Sequence, residues 1–236
     1  FVDAREVAPA AATRDMYLAA AGNPVEGLST RSAKAAGIPG EPAGWDQLAR
    51  NYGRLSLAAS LEPAIRFARK GHAISVARQA ELAEALDSEG LLGQVQNEFA
   101  RIYLVAGKVP SAGHWMRQPD LAKSLEVLAK GGAEAFYRGP FARKLVQGVQ
   151  RLGGVWTEDD LANYRLVERE PIVANYQGVR IVSAPPPSSG GVWLASVLNI
   201  LSGYDLASLD AATRKHLVLE AMRRAHRDRA QYLGDP

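Results

Sequence analysis

The sequence predicts an α-rich, incomplete α/β domain, and three observations carry that prediction. Between Tyr176 and Ala184 the chain alternates, with Val179, Ile181 and Ser183 on one face and Arg180, Val182 and Ala184 on the other. Period two marks a strand. Elsewhere apolar residues recur at helical spacing, as in Leu121, Leu125 and Leu128, or Phe141, Leu145, Val149 and Leu152, each run closed by a glycine pair. Both ends fall inside a pattern: Phe1-Val2-Asp3-Ala4-Arg5 reads as a strand already under way, and Asp235-Pro236 follows directly on a helix. No repeat period appears and no linker divides the chain. Residues 1–236 therefore read as a single domain belonging to a longer protein.

The first strand spans Phe1–Arg5, and Glu6-Val7-Ala8-Pro9 leaves it. Ala10–Met16 is alanine-rich and is expected to form a short helix. Gly22-Asn23-Pro24 is a turn. From Ser29 to Gly44 the chain is punctuated by Gly37, Pro39, Gly40 and Pro42, a loop of the kind that wraps a site. Trp45, Leu48, Ala49 and Tyr52 share a helix face that Gly53 closes. Ser60 is the candidate N-cap of a helix bearing Leu61, Ile65 and Ala68, with Pro63 in its first turn and Gly71 at its end. Val76–Leu86 is helical. Gly90–Gly113 fits helix or strand around the run Ile102-Tyr103-Leu104-Val105-Ala106. The Leu121 helix stops at Gly131-Gly132 and the Phe141 helix at Gly153-Gly154. Thr157 and Asp160 have the spacing of a capping box. Ala212–Tyr232 forms a last helix that buries Leu217, Ala221 and Ala225.

The strand Tyr176–Ala184 is expected to be buried and ends at Pro185-Pro186-Pro187, because proline donates nothing to a ladder. Ser188 or Ser189 then caps a helix carrying Leu194, Val197, Leu198 and Leu201, with Gly203 as its stop. Gly190-Gly191 lets the backbone pass close to a neighbour. A helix N-terminus at such a corner suits an anion or a developing negative charge. It equally suits a tight structural corner, and the residues alone leave both open.

Composition narrows the chemistry. A hydrophobic content of 47% supports a sizeable core, and a net charge of +3 from scattered basic residues gives no nucleic-acid footprint. There is no cysteine, hence no disulfide framework and no zinc–thiolate site, in keeping with a bacterial periplasmic or secreted enzyme. No apolar run approaches a membrane span and no signal peptide is visible. No serine or threonine has a recognisable base partner, and Pro186 stands where a nucleophile elbow requires glycine before Ser188. His216 and Glu220, four apart, read as a helix-surface ion pair before a metal pair, and His72, His114 and His226 stand alone. Gly190-Gly191 lacks the lysine of a phosphate loop. No catalytic residue, metal site or cofactor is therefore assigned. One arginine does fit a binding role. Arg5, beside Glu6 in the neighbourhood of Phe1, Val2, Val7 and Ala8, offers a fork that holds a carboxylate by two parallel hydrogen bonds. An ordinary ion pair with Glu6 or Asp3 fits the spacing equally well. Arg14, Arg169 and Arg180 read as solvated.

Several segments carry a resemblance, in order along the chain. Asp3-Ala4-Arg5-Glu6-Val7-Ala8-Pro9 with Ala12-Thr13-Arg14-Asp15-Met16, then Gly37-Ile38-Pro39-Gly40 with Gly44, Tyr52-Gly53 and Pro63-Ala64-Ile65, form the first half. Leu121-Ala122-Lys123-Ser124-Leu125, Phe136-Tyr137, Gly153-Gly154 and Asp160-Leu161-Ala162 continue it. Pro185-Pro186-Pro187-Ser188-Ser189-Gly190-Gly191, Leu198-Asn199-Ile200-Leu201, Asp228-Arg229 and Tyr232-Leu233-Gly234-Asp235-Pro236 complete it. Together they resemble the large subunit of the gamma-glutamyltranspeptidases, of the N-terminal-nucleophile hydrolase superfamily. Ser88–Met116 departs from the pattern and carries nothing over.

The resemblance implies an αββα four-layer sandwich, to which this chain adds strands at Phe1–Arg5 and Tyr176–Ala184 and most of the covering helices. It implies a precursor that cleaves itself, so that a threonine heads a separate small subunit. That threonine, with its own α-amino group as base and a backbone oxyanion hole, takes the γ-glutamyl group from glutathione or a related donor as an ester. Water or an amino acid or peptide acceptor then receives the group. Arg5 would grip the α-carboxylate of the γ-glutamyl moiety. The nucleophile lies outside residues 1–236, so the isolated chain is expected to be inert. A cephalosporin or glutaryl acylase on the same fold, and a non-catalytic subunit on the same scaffold, are the alternatives.

Overall fold

A computed structural model describes residues 1–87 and 94–234. Residues 88–93 of the divergent Ser88–Met116 stretch, and the motif residues Asp235 and Pro236, lie outside the described residues. In chain order the elements begin with β1 (Val2–Asp3), α1 (Leu28–Arg31), a 3-10 turn (Ala33–Ala35), α2 (Glu41–Asn51) and α3 (Leu57–Lys70). There follow β2 (His72–Ala73), α4 (Val76–Asp87), α5 (Gln94–Tyr103), β3 (Trp115–Met116), α6 (Pro119–Tyr137), α7 (Gly139–Arg151) and α8 (Glu158–Ala162). The last are β4 (Val167–Glu168), β5 (Ile172–Tyr176), β6 (Val179–Ser183), α9 (Ser189–Leu201) and α10 (Ala211–Tyr232). The architecture is helix-rich α+β, with three two-stranded antiparallel sheets among the described residues: β1–β4, β2–β3 and β5–β6. Among those residues no helix is long and apolar enough to cross a membrane. The chain falls into two compact units, Ala4–Leu166 and Phe1–Asp3 with Val167–Pro236.

The Ala4–Leu166 unit is built from helices that polar side chains start and glycines stop. Ser56 opens α3 by accepting from Ala59 N at 3.2 Å, and Gly71 closes it at φ 94°. The cap is therefore Ser56 and not Ser60, and Pro63 lies inside the helix instead of in its first turn. α2 starts at Glu41, within the expected loop, because Glu41-Pro42 supplies a first turn that needs no internal donors. Its Trp45, Leu48 and Tyr52 face is exposed in this chain, while Asp46 on the other side is buried. The Asp46 carboxylate accepts from Arg50 Nε at 2.9 Å and from Ala133 N at 3.1 Å. That second bond explains α6, which breaks at Gly132 (φ 63°, ψ −160°) as the glycine pair predicts and then resumes to Tyr137. Ala10–Met16 is not a helix; it forms successive i→i+3 turns, since so short an alanine segment gains too few hydrogen bonds to nucleate. The core gathers Ile38, Tyr137, Ala142, Val146, Trp156, Leu161 and Tyr164. A smaller cluster joins Ile74, Leu82 and Met116 beside β2–β3.

In the other unit α9 and α10 pack through Val197, Leu201, Ala221 and Ala225, with Leu217 only half-buried. The two alanines stand one turn apart on α10, which brings its backbone close to α9. The expected strand Tyr176–Ala184 is in fact the second arm of a hairpin. Tyr176 belongs to β5 and faces Val179, across a Gln177-Gly178 turn with φ of 48° and 81°. Both central residues are left-handed, as a type I′ hairpin turn requires. Nor is β6 buried: Val179 and Val182 are 62% and 52% exposed. The first strand is likewise shorter than Phe1–Arg5 and stops at Asp3, where its partner β4 ends.

Candidate functional site

Arg5 lies on the segment Ala4–Pro9, and three separate anchors hold that segment. Val7 and Ile38 exchange backbone hydrogen bonds, Val7 N to Ile38 O at 3.2 Å and Ile38 N to Val7 O at 2.8 Å. The Tyr164 hydroxyl donates to the carbonyl oxygen of Arg5 at 2.9 Å. Beyond Pro9, the amide of Ala10 donates to Asp160 Oδ1 at 2.8 Å. Asp160 is the residue that completes the predicted capping box with Thr157 at the start of α8. Burial opposes ionisation of Asp160, but the bonds from Ala10 N and from the Thr157 hydroxyl and amide outweigh it and hold the carboxyl below its usual range.

The glycine-rich loop is what lets this segment lie so close. A Cβ on Gly40 would collide with the Tyr164 hydroxyl and the Ala4 carbonyl oxygen, and one on Gly37 would stand 2.9 Å from Glu6 Cγ. Ile38 between them is wholly buried. Tyr164 is itself fixed by Tyr137, whose ring stacks on it at 5.3 Å and 7°. The Tyr137 hydroxyl donates to Pro39 O at 2.6 Å, and burial pushes its phenol pKa up, so it stays a donor.

The Arg5 side chain is 47% exposed, and its Nε stands 3.9 Å from Glu6 Oε1. That distance is an ion pair without a hydrogen bond, so Glu6 does not occupy the guanidinium fork. A cleft of about 540 Å³ opens along the same segment, lined in part by Val7, Ala8, Asp159 and Asp160. Arg165 lines it together with these carboxylates, and Arg5 is not among its lining residues. Arg169, read as solvated, instead holds Asp3 through Nε at 2.8 Å. Arg14 and Arg180 are exposed, as read.

The proline corner behaves partly as expected. A Cβ on Gly191 would strike the Ala184 carbonyl oxygen, so the close approach is real, whereas one on Gly190 would make only an ordinary contact with Ser188 Oγ at 3.8 Å. Neither serine caps α9: Ser188 makes no side-chain cap bond, and Ser189 Oγ accepts from Arg229 Nε at 2.7 Å. This gives Arg229 of the Asp228-Arg229 pair a structural role in the corner, while Asp228 accepts from Arg227. Glu220 is gripped by Arg223 at 2.7 Å, which holds its carboxyl below the usual range and leaves His216 a minor electrostatic neighbour. No cluster of three or more metal-ligating side chains occurs among the described residues. The hydroxyls of Ser32, Ser124, Ser196, Ser202 and Ser208 each donate to a carbonyl three or four residues back, the ordinary structural use. The residue on Arg5 that sequence reasoning did not single out is Tyr164. For Tyr164 the available signal was an amphipathic aromatic directly after the Asp160-Leu161-Ala162 motif.

Comparison with known proteins follows the same residues. Residues 1–236 match the gamma-glutamyltranspeptidase family model from end to end. The chain is 40% identical to the glutathione hydrolase proenzyme of Escherichia coli K12 over its whole length, covering 40% of that protein. It is 36% identical to the acylase ACY 1 proenzyme of Pseudomonas sp. SE83, covering 43% of it. The chain thus spans about two fifths of the length of the curated relatives it matches. In structure it superposes on Helicobacter pylori gamma-glutamyltranspeptidase with a TM-score of 0.93 at 36% identity, covering 99% of this chain and 67% of that one. The fold is therefore that of these enzymes, and the chain belongs to the gamma-glutamyltranspeptidase family.

Proposed function

We propose that residues 1–236 are one domain of the large subunit of a gamma-glutamyltransferase and glutathione hydrolase. The observation that carries this reading is the end-to-end match to the family, within which the Arg5-Glu6 pair stands on a segment anchored at the Arg5 carbonyl and at Val7. The reaction is a two-step acyl transfer. A threonine hydroxyl, heading a small subunit released by self-cleavage, attacks the γ-amide carbonyl; its α-amino group takes the hydroxyl proton and passes it to the departing amine. Water or an amino acid or peptide acceptor then displaces the threonine from the γ-glutamyl ester. Arg5 binds the α-carboxylate of glutathione or a similar donor by a fork of charged hydrogen bonds. A periplasmic or secreted bacterial setting goes with this reading.

The acylase relatives support a second reading, in which the donor is a glutaryl amide, such as a β-lactam side chain. A glutaryl group keeps the carboxylate that Arg5 would hold and lacks only the α-amino group, so the donor's amino group separates the two readings. The experiment is turnover of γ-glutamyl- and glutaryl-p-nitroanilide by the complete, self-cleaved protein. Higher kcat/KM for the γ-glutamyl amide supports transpeptidase chemistry. Preference for the glutaryl amide establishes the acylase instead, and no turnover of either leaves a non-catalytic subunit.

A further inference from the structure

We infer that Tyr164 is a positioning residue for the carboxylate-binding arginine, acting through the main chain of Arg5 and not through substrate. The inference rests on the proposed role of Arg5. Its basis is geometric. The Tyr164 hydroxyl donates to the Arg5 carbonyl at 2.9 Å across 159 residues of sequence. That bond fixes the peptide plane between Arg5 and Glu6, while the Val7–Ile38 pair fixes the chain two residues on. Both anchors act on the chain that leaves the Arg5 Cα, and the one at the Arg5 carbonyl restrains the ψ rotation of Arg5 itself. A half-exposed arginine needs such help, because its long side chain otherwise spreads over many rotamers. Bidentate capture of a carboxylate tolerates only about 0.5 Å and 10–20° of error.

The surroundings of Tyr164 are arranged for this bond. The residue is buried, and its ring lies flat on Tyr137, which is tied to Pro39 by its own hydroxyl. Gly40 has no side chain, which leaves room for the Tyr164 hydroxyl and the Ala4 carbonyl to meet the same stretch of backbone. A tyrosine kept only for packing would need none of this, and phenylalanine would fill the space equally well.

The test uses the complete, self-cleaved protein with three variants and two donors. One donor is a γ-glutamyl amide; the other is its analogue without the α-carboxylate. Tyr164→Phe keeps the ring and removes the bond to Arg5. It should raise KM for the carboxylate donor by roughly 2- to 10-fold, the worth of one neutral hydrogen bond, while leaving kcat and the analogue's kinetics little changed. Tyr137→Phe removes the hydroxyl's backbone bonds to Pro39 and Ala43 but keeps the ring stacked on Tyr164, and should lower Tm without changing the ratio of the two donors. Arg5→Ala reads the underlying assignment separately. If Arg5→Ala separates the donors and Tyr164→Phe does not, the inference is wrong and the role of Arg5 stands. Equal damage to both donors in Tyr164→Phe, or failure of that variant to mature, makes the hydroxyl a requirement of the fold and also overturns it. If Arg5→Ala itself fails to separate the donors, the reading of the site falls, and with it the inference.

Discussion

The backbone at Arg5 is set by its neighbours. Glu6 is too distant to fill its fork, and Gly37 lets the Glu6 stem lie back against the loop. Charged hydrogen bonds contribute about 1.5–3 kcal/mol each, and partial exposure lowers the yield of a pair of them. In the complete protein Arg5→Ala should therefore raise KM for γ-glutamyl donors by roughly 10- to 100-fold without impairing self-cleavage. Arg5→Lys should recover only part, because an ammonium cannot reproduce the planar fork. Steady-state kinetics on the two variants decides this; an unchanged KM would show that the guanidinium serves the fold alone. Asp160 acts one anchor away and makes a pH prediction. Its carboxyl is held below the ordinary value, so its stabilising effect is complete above the unfolded pKa of about 3.9 and fades as pH falls through the lower folded value. Asp160→Asn should consequently be less stable than the parent near neutrality, with the gap closing below about pH 4. Denaturation midpoints measured across that range would show it, and a pH-independent gap would contradict it.

Elements reveal what a sequence makes legible. The α9 corner depends on one glycine: a valine at Gly191 would drive its side chain into the Ala184 carbonyl, a backbone atom that cannot swing aside. Gly191→Val should cost at least about 1–3 kcal/mol and depress the yield of self-cleaved protein, whereas Gly190→Ala, whose Cβ would meet only Ser188 Oγ at an ordinary 3.8 Å, should be tolerated. Equal yields from the two variants would make the corner ordinary surface. Features set by local chemistry were readable beforehand, among them the Thr157–Asp160 box, the break at Gly132 and the close approach at Gly191. Those set by distant partners were not. Nothing near Asp46 announces a bond to Ala133, and nothing near Arg5 announces Tyr164. β5 escaped notice because its turn is Gln177-Gly178, outside the usual Asn-Gly or Asp-Gly signal, so its last residue joined the next strand. The Trp45, Leu48 and Tyr52 face was legible as apolar, but which way it faces is decided by packing that periodicity does not encode.

At the scale of the whole molecule, the chain is about two fifths of its curated relatives and contains short sheets with exposed apolar residues. A two-stranded hairpin such as β5–β6 is marginal alone and gains stability only from further strands or a covering layer. With the donor-binding arginine proposed in this chain and the nucleophile proposed outside it, residues 1–236 expressed alone should not hydrolyse γ-glutamyl-p-nitroanilide. The most direct test of that division is to trap the acyl-enzyme. The complete protein is incubated with a γ-glutamyl donor, quenched in acid, digested, and the +129 Da γ-glutamyl adduct (roughly the mass of a glutamyl residue) located by mass spectrometry. The account predicts the adduct on the N-terminal threonine of the small subunit and on no residue from Phe1 to Pro236; an adduct on a serine or threonine within residues 1–236 would contradict it.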